Sequence, residues 1–311
     1  MVDSPTLASL VGNTPLLPLM RISPEGRTIL AKCEHLNPGG SVKDRIGFGM
    51  VRAALERGDL KVGGTIVEPT AGNTGVSLAI AAVHYGLKMV AVMPDRFSLE
   101  KAQLIEALGG TVLRTPSAEG IEGAIALSLE KEEEEGWWCP QQFGNRDNWK
   151  THYETTGPEI WKETHGKIDA FVCGVGSGGT FVGVARFLKE KNPKISSIAV
   201  QPEGSVLLGG ESAPHKVEGI GVDDLATLGF WDPELADGVE TVSDKVAHHM
   251  TSRLSKEEGL LVGGSSGALV AAACRIAQRR GRGAQIVTLL PDGGERYLSK
   301  GLYGPWDRWV V

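Results

Sequence analysis

Short apolar segments alternate along the chain with longer amphipathic segments, and this order predicts alternating β-strands and α-helices. Lys88–Met93 and Ala170–Cys173 are short and almost wholly apolar, which is typical of buried strands. We predict strands over Thr28–Cys33, Thr65–Glu68, Lys88–Met93, Thr111–Arg114, Ala170–Cys173, Ser197–Val200 and Ala284–Leu290. We predict helices over Val42–Glu56, Thr74–Tyr85, Leu99–Leu108, Gly120–Glu135, Thr180–Lys191, Ser243–Glu258 and Ser266–Gly281. Strands that alternate with helices indicate βαβ units and therefore an α/β fold with parallel sheets.

The composition is that of an ordinary folded protein. The chain has 311 residues, of which 41% are hydrophobic and 23% are charged. At roughly 150 residues per domain, this length predicts about two domains. Pro38–Trp149 reads as one compact unit inserted into another, and the turn-rich segment Phe143–Asn148 marks the boundary between them.

The charge balance excludes two classes of partner. Lys+Arg is 32 and Asp+Glu is 38, so the net charge is 32 − 38 = −6. Nucleic-acid binders and polybasic membrane anchors normally carry a basic face or tail, so we expect neither partner. No apolar run approaches the roughly 18 residues of a spanning helix, and the first residues do not resemble a signal peptide. A cytoplasmic location is therefore expected.

The cysteines and histidines give no sign of a disulfide framework or a metal site. Cys33, Cys139, Cys173 and Cys274 lie far apart in the sequence, and none belongs to a C-x-x-C pair. The seven histidines show no spacing typical of metal ligands. We therefore expect no bound metal.

Glycine is unusually frequent and is concentrated in four loops. The chain has 42 glycines among 311 residues, nearly twice the ordinary share of about 7%. The four glycine-rich loops are Asn37–Arg45, Glu68–Gly75, Gly174–Thr180 and Gly263–Gly267. Each follows or precedes a predicted helix. In α/β folds such loops gather at the carboxyl ends of the strands, where ligands bind.

The third loop supports two interpretations. Gly174–Gly179 matches G-x-G-x-x-G, and Glu203 lies about 24 residues further on, as in an NAD-dependent dehydrogenase. Alternatively, N–H groups at the helix N-terminus, with the hydroxyls of Ser177 and Thr180, would bind a phosphate group. The loop alone does not decide between a dinucleotide and an isolated phosphate.

The first two loops indicate what else the ligand contains. N–H groups of Thr70–Gly75 would bind a carboxylate, and the Asn73 amide could donate to a ring oxygen. Lys43 lies just inside a helix N-terminus, where a cation is electrostatically unfavourable. With partial burial, this position would lower the pKa of Lys43 and make its amine a nucleophile.

Together, these loops resemble the motifs of the cysteine synthase and cystathionine β-synthase family, which are pyridoxal-phosphate (PLP) enzymes of fold type II. The similarity extends from Val11–Pro15 to Leu290–Asp292. It implies a fold like that of the tryptophan synthase β subunit, with a substrate cleft between two domains. The large domain would comprise residues 1–37 and 150–311, and the small inserted domain residues 38–149. The resemblance also implies a homodimer.

The resemblance implies roles for individual residues. Lys43 would bind PLP covalently and then transfer the Cα proton of the substrate. Asn73 would contact the ring hydroxyl oxygen of PLP, and Ser265 its pyridine nitrogen. The phosphate would be bound by Gly176, Ser177, Gly178, Gly179 and Thr180. The substrate would be bound by Thr70, Ala71, Gly72, Thr74, Gln142 and Gly219. Many relatives have Ser at the position of Ala71, so this chain lacks one hydroxyl there.

The implied reaction is β-replacement on a small amino acid by a sulfur nucleophile. The neutral hydroxyl of Ser265 would favour elimination over transamination. The donor is either L-serine or O-acetyl-L-serine, and the acceptor is sulfide, giving L-cysteine, or homocysteine, giving L-cystathionine. Three segments look closer to the cystathionine-forming branch, namely Gln201–Ser205, Glu218–Asp223 and Gly263–Gly267. Glu218 would contact the amino end of a bulky thiol or would be a solvated loop acid.

Overall fold

The computed structural model describes residues 6–70, 72–95 and 99–304. The strands are β1 (Leu16–Pro18), β2 (Thr28–Lys32), β3 (Thr65–Pro69), β4 (Lys88–Pro94), β5 (Thr111–Thr115), β6 (Ala170–Gly174), β7 (Ser196–Pro202), β8 (Gly238–Val242) and β9 (Gln285–Leu289). The helices are α1 (Lys43–Arg57), α2 (Asn73–Tyr85), α3 (Leu99–Ala107), α4 (Gly120–Glu135), α5 (Arg146–Glu154), α6 (Thr156–Glu163), α7 (Gly179–Lys191), α8 (Asp244–Glu258) and α9 (Gly264–Arg279). Within these ranges, no helix has both the length and the apolar character needed to cross a bilayer.

The α/β fold predicted from the sequence is confirmed. Every predicted strand and helix is present, and each end lies within two residues of its predicted position. The sequence pattern did not reveal β1, β8, α5 or α6. The turn-rich boundary segment is shorter than predicted, because α5 begins at Arg146. Asn145 promotes this early start, since its Oδ1 accepts a hydrogen bond from the N–H of Asp147 at 2.9 Å, within the first turn.

The described residues form two compact units. The small unit contains the described residues up to Gly12 and Asn37–Asn148, and the large unit contains Asn13–Leu36 and the described residues from Trp149 onward. The sequence predicts that residues 1–37 belong to the large domain, whereas the described residues up to Gly12 lie in the small unit. Three side chains of the segment, those of Leu7, Ala8 and Val11, pack on the apolar core of the small unit. In addition, the Gly12 N–H donates to Asn37 Oδ1 at 2.8 Å.

The small unit is built on a parallel sheet with the strand order β3-β4-β5. Successive side chains of a strand point to opposite faces, and β3 divides its apolar residues in this way. Ile66 packs with Leu78 of α2 on one face, whereas Val67 packs with Ala124 of α4 on the other. Because both faces are covered by helices, the ligand-binding loops lie at the edge where β3 ends.

The large unit contains a six-stranded sheet with the order β1-β2-β9-β6-β7-β8, in which only the β1–β2 pair is antiparallel. Helix α9 packs on β9 and β6, and α8 packs on α9. The α8–α9 contact requires glycine at position 267, where an added Cβ would lie only 2.0 Å from the carbonyl oxygen of Ala247. This close packing fixes the N-terminus of α9 beside the end of β6.

Candidate active site

Lys43 is the first residue of α1 and follows a tight glycine turn. Gly40 adopts a positive φ of 74°, a conformation that favours glycine. The N–H of Gly39 donates to Asp44 Oδ2 at 2.6 Å, which fixes the turn against the first turn of the helix. The carbonyl oxygen of Lys43 accepts a hydrogen bond from Ser77 Oγ of α2 at 2.7 Å. The start of α1 is therefore held beside α2, and Lys43 lies at the positive end of its helix.

The second glycine-rich loop connects the end of β3 with α2. The N–H of Gly72 donates to Thr70 Oγ1 at 3.2 Å. The hydroxyl of Thr74, in the first turn of α2, donates to Gln142 Oε1 at 2.8 Å. Thr70, Thr74 and Gln142 are all buried. This arrangement leaves N–H groups at the helix N-terminus for an anion. The predicted contribution of Ala71 lies outside the described residues.

A buried carboxyl group lies directly behind this loop. Glu68, in β3, is 1% exposed, and its Oε2 accepts a hydrogen bond from the N–H of Gln141 at 3.1 Å. Burial raises the pKa of Glu68 to about 8, and hydrogen bonds from Gln142 and Gln141 with the positive charge of Lys43 partly oppose this increase. The sequence analysis gave Glu68 no role. The feature of the sequence that could have revealed it is a single carboxylate next to the apolar residues Ile66 and Val67 of a predicted strand.

The third glycine-rich loop connects β6 with α7 and brings its backbone close to a second loop. An added Cβ at Gly176 would lie 2.8 Å from the carbonyl oxygen of Gly219, so no larger residue fits without displacing the backbone. Gly178 caps α7 with a positive φ of 86°, and α7 begins at Gly179. The first N–H groups of the helix lack partners within it and can bind a dianion.

Two hydroxyl groups flank the start of α7, and a histidine holds one of them. Ser177 is buried just before the helix. Thr180 Oγ1 lies 3.2 Å from His152 Nε2, and His152 Nδ1 lies 2.9 Å from Thr156 Oγ1. His152 is 1% exposed. The sequence gave no signal for this contact, because His152 lies 28 residues from Thr180 and outside every glycine-rich loop.

Ser265 lies in the first turn of α9 and is buried. Its Oγ makes no hydrogen bond to any other residue in the described ranges, so the hydroxyl is available to a ligand. Gly263, two residues before Ser265, has no room for a side chain, since an added Cβ would lie 2.1 Å from Asp292 Oδ1. Leu269 of the same helix lies 3.3 Å from the Cβ position of Gly174, so α9 begins next to the β6–α7 loop.

The predicted site residues thus form two groups, one in each unit. The small unit brings together Lys43, Thr70, Gly72, Asn73, Thr74 and Gln142. The large unit brings together Gly176, Ser177, Gly178, Gly179, Thr180, Gly219 and Ser265. Asn73 is the first residue of α2, which is where the sequence placed an amide for the ligand ring. The first group contains the amine, and the second contains the candidate phosphate site.

A cavity of about 240 Å³ in the large unit is lined by His215, Lys216, Glu218, His248, Lys300, Gly301 and Leu302. Glu218 forms an ion pair with Lys300 and is about one-third exposed. His248 Cδ2 lies 3.6 Å from the Cβ position of Gly264, the residue before Ser265. The cavity therefore combines both signs of charge close to the start of α9.

Comparison with known proteins relates nearly the whole chain to one enzyme family. A family model described as "Pyridoxal-phosphate dependent enzyme" matches residues 7–292. The O-acetylserine dependent cystathionine beta-synthase of Bacillus subtilis (strain 168) is 46% identical over 299 residues, which are 96% of this chain and 97% of that protein. The cysteine synthase of Helicobacter pylori (strain ATCC 700392 / 26695) is 47% identical over 302 residues, covering 96% and 98%, respectively.

A solved structure agrees with these sequence matches. The O-acetylserine dependent cystathionine beta-synthase from Helicobacter pylori has a TM-score of 0.90 and 46% identity, and the alignment covers 97% of this chain and 100% of that one. The dinucleotide alternative is left without support, because the PLP enzyme family matches the Gly174–Gly179 loop together with the rest of the chain. Glu203, its expected ribose ligand, is exposed at the end of β7.

The chemistry of the two groups fits PLP. The glycine loop at the start of α7 has N–H groups for the phosphate and no space for a side chain at Gly176. Ser265 provides a buried hydroxyl of the kind that can bond a pyridine nitrogen, and Lys43 is a primary amine of the kind that condenses with an aldehyde. The predicted cofactor is therefore confirmed by family and by fit, and the chain belongs to the family of pyridoxal-phosphate dependent enzymes.

Proposed function

We propose that this enzyme replaces the β-substituent of O-acetyl-L-serine with a sulfur nucleophile. Homocysteine, which gives L-cystathionine, is the preferred acceptor, and sulfide, which gives L-cysteine, is the second. Relatives that are 46% identical over nearly their full length are O-acetylserine dependent cystathionine beta-synthases. This similarity supports O-acetyl-L-serine as the donor and homocysteine as the preferred acceptor. The similarity to a cysteine synthase supports sulfide as a second acceptor.

In this proposal, both groups of residues hold the same cofactor. Lys43 Nζ would bind the aldehyde carbon of PLP. The N–H groups and hydroxyls of Gly176–Thr180 would hold its phosphate, Asn73 its ring oxygen, and Ser265 its pyridine nitrogen. When bound, PLP withdraws electrons from the Cα atom of an amino acid, which makes the Cα–H acidic and allows a β-substituent to leave.

The residues of the small unit then position the donor and move a proton. The N–H groups of Thr70–Thr74 and the side chain of Gln142 hold the donor carboxylate at the positive end of α2. Lys43 Nζ would accept the Cα proton of the donor. It would keep this proton while acetate leaves and the sulfur nucleophile adds at Cβ as a thiolate, its S–H proton having passed to solvent, and it would then return the proton to Cα.

The observation that carries the proposal is the neutral, buried hydroxyl of Ser265 at the start of α9. A carboxylate at this position would stabilise a positive charge on the pyridine nitrogen and make the ring a stronger electron sink. A hydroxyl stabilises that charge less, so negative charge at Cα is relieved by loss of the β-substituent. Elimination and replacement are thereby favoured over transamination.

A product assay tests the proposed reaction. The PLP-loaded enzyme is incubated with O-acetyl-L-serine or L-serine, each combined with homocysteine or sulfide, and the products are separated by mass. We expect cystathionine from O-acetylserine and homocysteine as the fastest reaction, and cysteine from O-acetylserine and sulfide as the next. If none of the four combinations gives a product while PLP is bound, the proposal is wrong.

The acceptor preference has its own test at Glu218. Its carboxylate lies beside Lys300 in the mixed-charge cavity and would contact the amino group of homocysteine. Glu218→Gln should lower kcat/KM for homocysteine about fivefold, which corresponds to one exposed ion pair of ~1 kcal/mol. Sulfide has no amino group, so its rate serves as the internal control. An equal decrease with both acceptors would contradict this role.

We also propose, by analogy with the family, that the enzyme is a cytoplasmic homodimer. Light scattering on the PLP-loaded protein should give twice the mass of one chain. A mass equal to that of one chain would contradict the dimer, and recovery outside the cytoplasm on cell fractionation would contradict the location.

A further inference from the structure

Glu68 is held by a segment that lies beside β3 although it is distant in sequence. Ile66 forms a parallel bridge with Trp138, in which the Val67 N–H donates to Trp138 O and the Trp138 N–H donates to Thr65 O, both at 2.9 Å. This pairing brings Gln141 next to Glu68, 73 residues earlier in the chain. Burying a carboxyl group is costly unless hydrogen bonds compensate, so its presence needs a reason.

The segment makes a strained turn at the point where Glu68 binds it. Gln141 has a positive φ of 51°, which is uncommon for a residue other than glycine. Its N–H donates to Glu68, and its carbonyl oxygen accepts hydrogen bonds from the N–H groups of Gly144 and Asn145 at 2.9 and 3.0 Å. The carbonyl oxygen of Gln142 accepts from Asn148 Nδ2 at 2.7 Å. The turn is thus fixed from both sides.

The turn determines where the Gln142 side chain lies. Glu68 Oε2 accepts the N–H of Gln141, the residue directly before Gln142. The Gln142 side chain is buried, and its Oε1 accepts the hydroxyl proton of Thr74 at 2.8 Å. Glu68 therefore fixes the backbone from which Gln142 reaches Thr74, and Gln142 in turn holds the first turn of α2.

We propose that Glu68 is a positioning residue for the donor: through Gln142, its carboxylate holds Thr74 and the α2 N-terminus in the geometry that binds the amino-acid carboxylate. This inference rests on the proposed function, because it takes the Thr70–Thr74 loop as the donor site. Glu68 itself contacts neither the donor nor the cofactor in this arrangement.

The surroundings of Glu68 predict how its role depends on pH. The charged and titratable groups that face it are Lys43 at the start of α1 and Cys139 in the segment beside β3. All the groups that bind its carboxyl group are hydrogen-bond donors, so the ionised form fits them and the protonated form does not. Because burial raises the pKa of Glu68 to about 8, the KM for the donor should fall as the pH increases through 8.

The first test is Glu68→Gln, which keeps the shape but places an NH2 group against the donors. The KM for O-acetyl-L-serine should rise on the order of 100-fold, as expected when a site is misplaced by about 1 Å, whereas kcat changes less. The pH dependence of KM near 8 should disappear. The visible absorbance of bound PLP should not change, because Glu68 does not hold the cofactor.

Glu132→Gln is the matched control. Glu132 Oε1 accepts from the Cys139 N–H at 3.2 Å, and its Oε2 accepts from Gln141 Nε2 at 3.4 Å, so it binds the same turn from its other side. It binds the side chain of Gln141 and not its backbone N–H, and its replacement should change the KM by less than about twofold. An equal effect of both variants would overturn the proposal, because the role would then be general support of the turn.

A double-mutant cycle tests whether Glu68 acts through Gln142. If it does, Glu68→Gln should have little further effect on KM in a Gln142→Ala background, because residues of one network are not additive. Fully additive effects would overturn the proposal.

Amide hydrogen exchange over residues 141–148 provides a readout that does not depend on turnover. It should be faster in Glu68→Gln than in the wild type and unchanged in Glu132→Gln. Should Glu68→Gln fail to fold, the wild-type pH profile decides, and a KM that is flat between pH 7 and 9 overturns the proposal. If the wild type turns over no donor, the proposed function fails while the exchange test of Glu68 still stands.

Discussion

The two groups of site residues use different chemistry. In the small unit the group depends on ionisable side chains, because Lys43 lies at a helix N-terminus and Glu68 is buried behind the neighbouring loop. In the large unit it consists of glycine N–H groups, as at Gly176, and neutral hydroxyls, as at Ser265. In the proposed mechanism, proton transfer is therefore confined to the small unit, whereas the groups of the large unit that would contact the cofactor carry no charge.

The contrast has a physical basis in what each group must do. A helix N-terminus stabilises a dianion through N–H groups whose partial charges do not titrate, so the contribution of these N–H groups to phosphate binding does not depend on pH. Proton transfer requires a group that changes its charge at the working pH. Four predictions test this division, from the largest expected effect to the smallest.

Lys43→Ala should remove the acid–base function from the small unit. We expect cystathionine formation to fall by about 10³- to 10⁴-fold, because a positioned proton-transfer group contributes up to roughly 10⁴ to a rate. After borohydride reduction, mass analysis of the peptide that contains position 43 should show a PLP adduct in the wild type and no adduct in the variant. The exposed Lys61→Ala is the control. Retention of a tenth of the activity would contradict the assignment.

Glu68→Gln should change how stability depends on pH. The folded pKa of about 8 lies above the reference value of 4.5, so this carboxyl group stabilises the fold fully below pH 4.5 and loses that contribution as the pH rises through 8. Relative to the variant, the wild type should lose up to about 5 kcal/mol of unfolding free energy across this range. Denaturant unfolding at several pH values measures it. Parallel curves for both proteins would refute the buried ionisation.

Gly176→Ala should weaken PLP binding in the large unit without altering acid–base behaviour. The new Cβ would lie 2.8 Å from the carbonyl oxygen of Gly219, so one of the two loops must move. A displacement of this kind should raise the dissociation constant of PLP on the order of 100-fold, measured by titrating the apoenzyme. Gly281→Ala, where an added Cβ meets nothing within 4 Å, should bind PLP normally. Equal affinities would place the phosphate elsewhere.

Ser265→Asp should place a negative charge in the otherwise neutral group of site residues in the large unit. A carboxylate facing the pyridine nitrogen should slow β-replacement about tenfold, equivalent to ~1.4 kcal/mol of barrier, and should increase transamination. The rate of cystathionine formation measures replacement, and formation of a 2-oxo acid that keeps its β-substituent, together with pyridoxamine phosphate, measures transamination. Ser265→Ala keeps the site neutral and should retain the preference for replacement. An unchanged rate in Ser265→Asp would refute the role of the neutral hydroxyl.

Much of the fold was predictable because its signals are local. Strands such as β4 and helices such as α4 are long, regular and bounded by glycine or proline, and their predicted ends differ from the observed ones by no more than one residue. β1 has three residues and only one neighbouring strand, so its sequence pattern is too short to be distinctive. The glycine-rich loops were also visible, since each precedes or begins a helix.

The candidate site was predictable only in part. Lys43, Asn73 and Ser265 were found because each lies within a glycine-rich string. Glu68 and His152 were not assigned a role, because their importance depends on the residues they contact, which lie 73 and 28 positions away, respectively. A sequence pattern gives no direct measure of such distances.

The sequence by itself determined most of the strands and helices and the positions of the tight turns, because backbone propensity and glycine act over a few residues, and the resemblance of its loops to a known family gave the class of ligand. Tertiary structure alone decided that Leu7, Ala8 and Val11 pack on the small unit, that the Trp138–Gln142 segment lies along β3, and that a buried carboxyl group binds this segment next to the amide that contacts α2. These contacts arise when distant segments share one core, and only packing brings them within hydrogen-bonding distance.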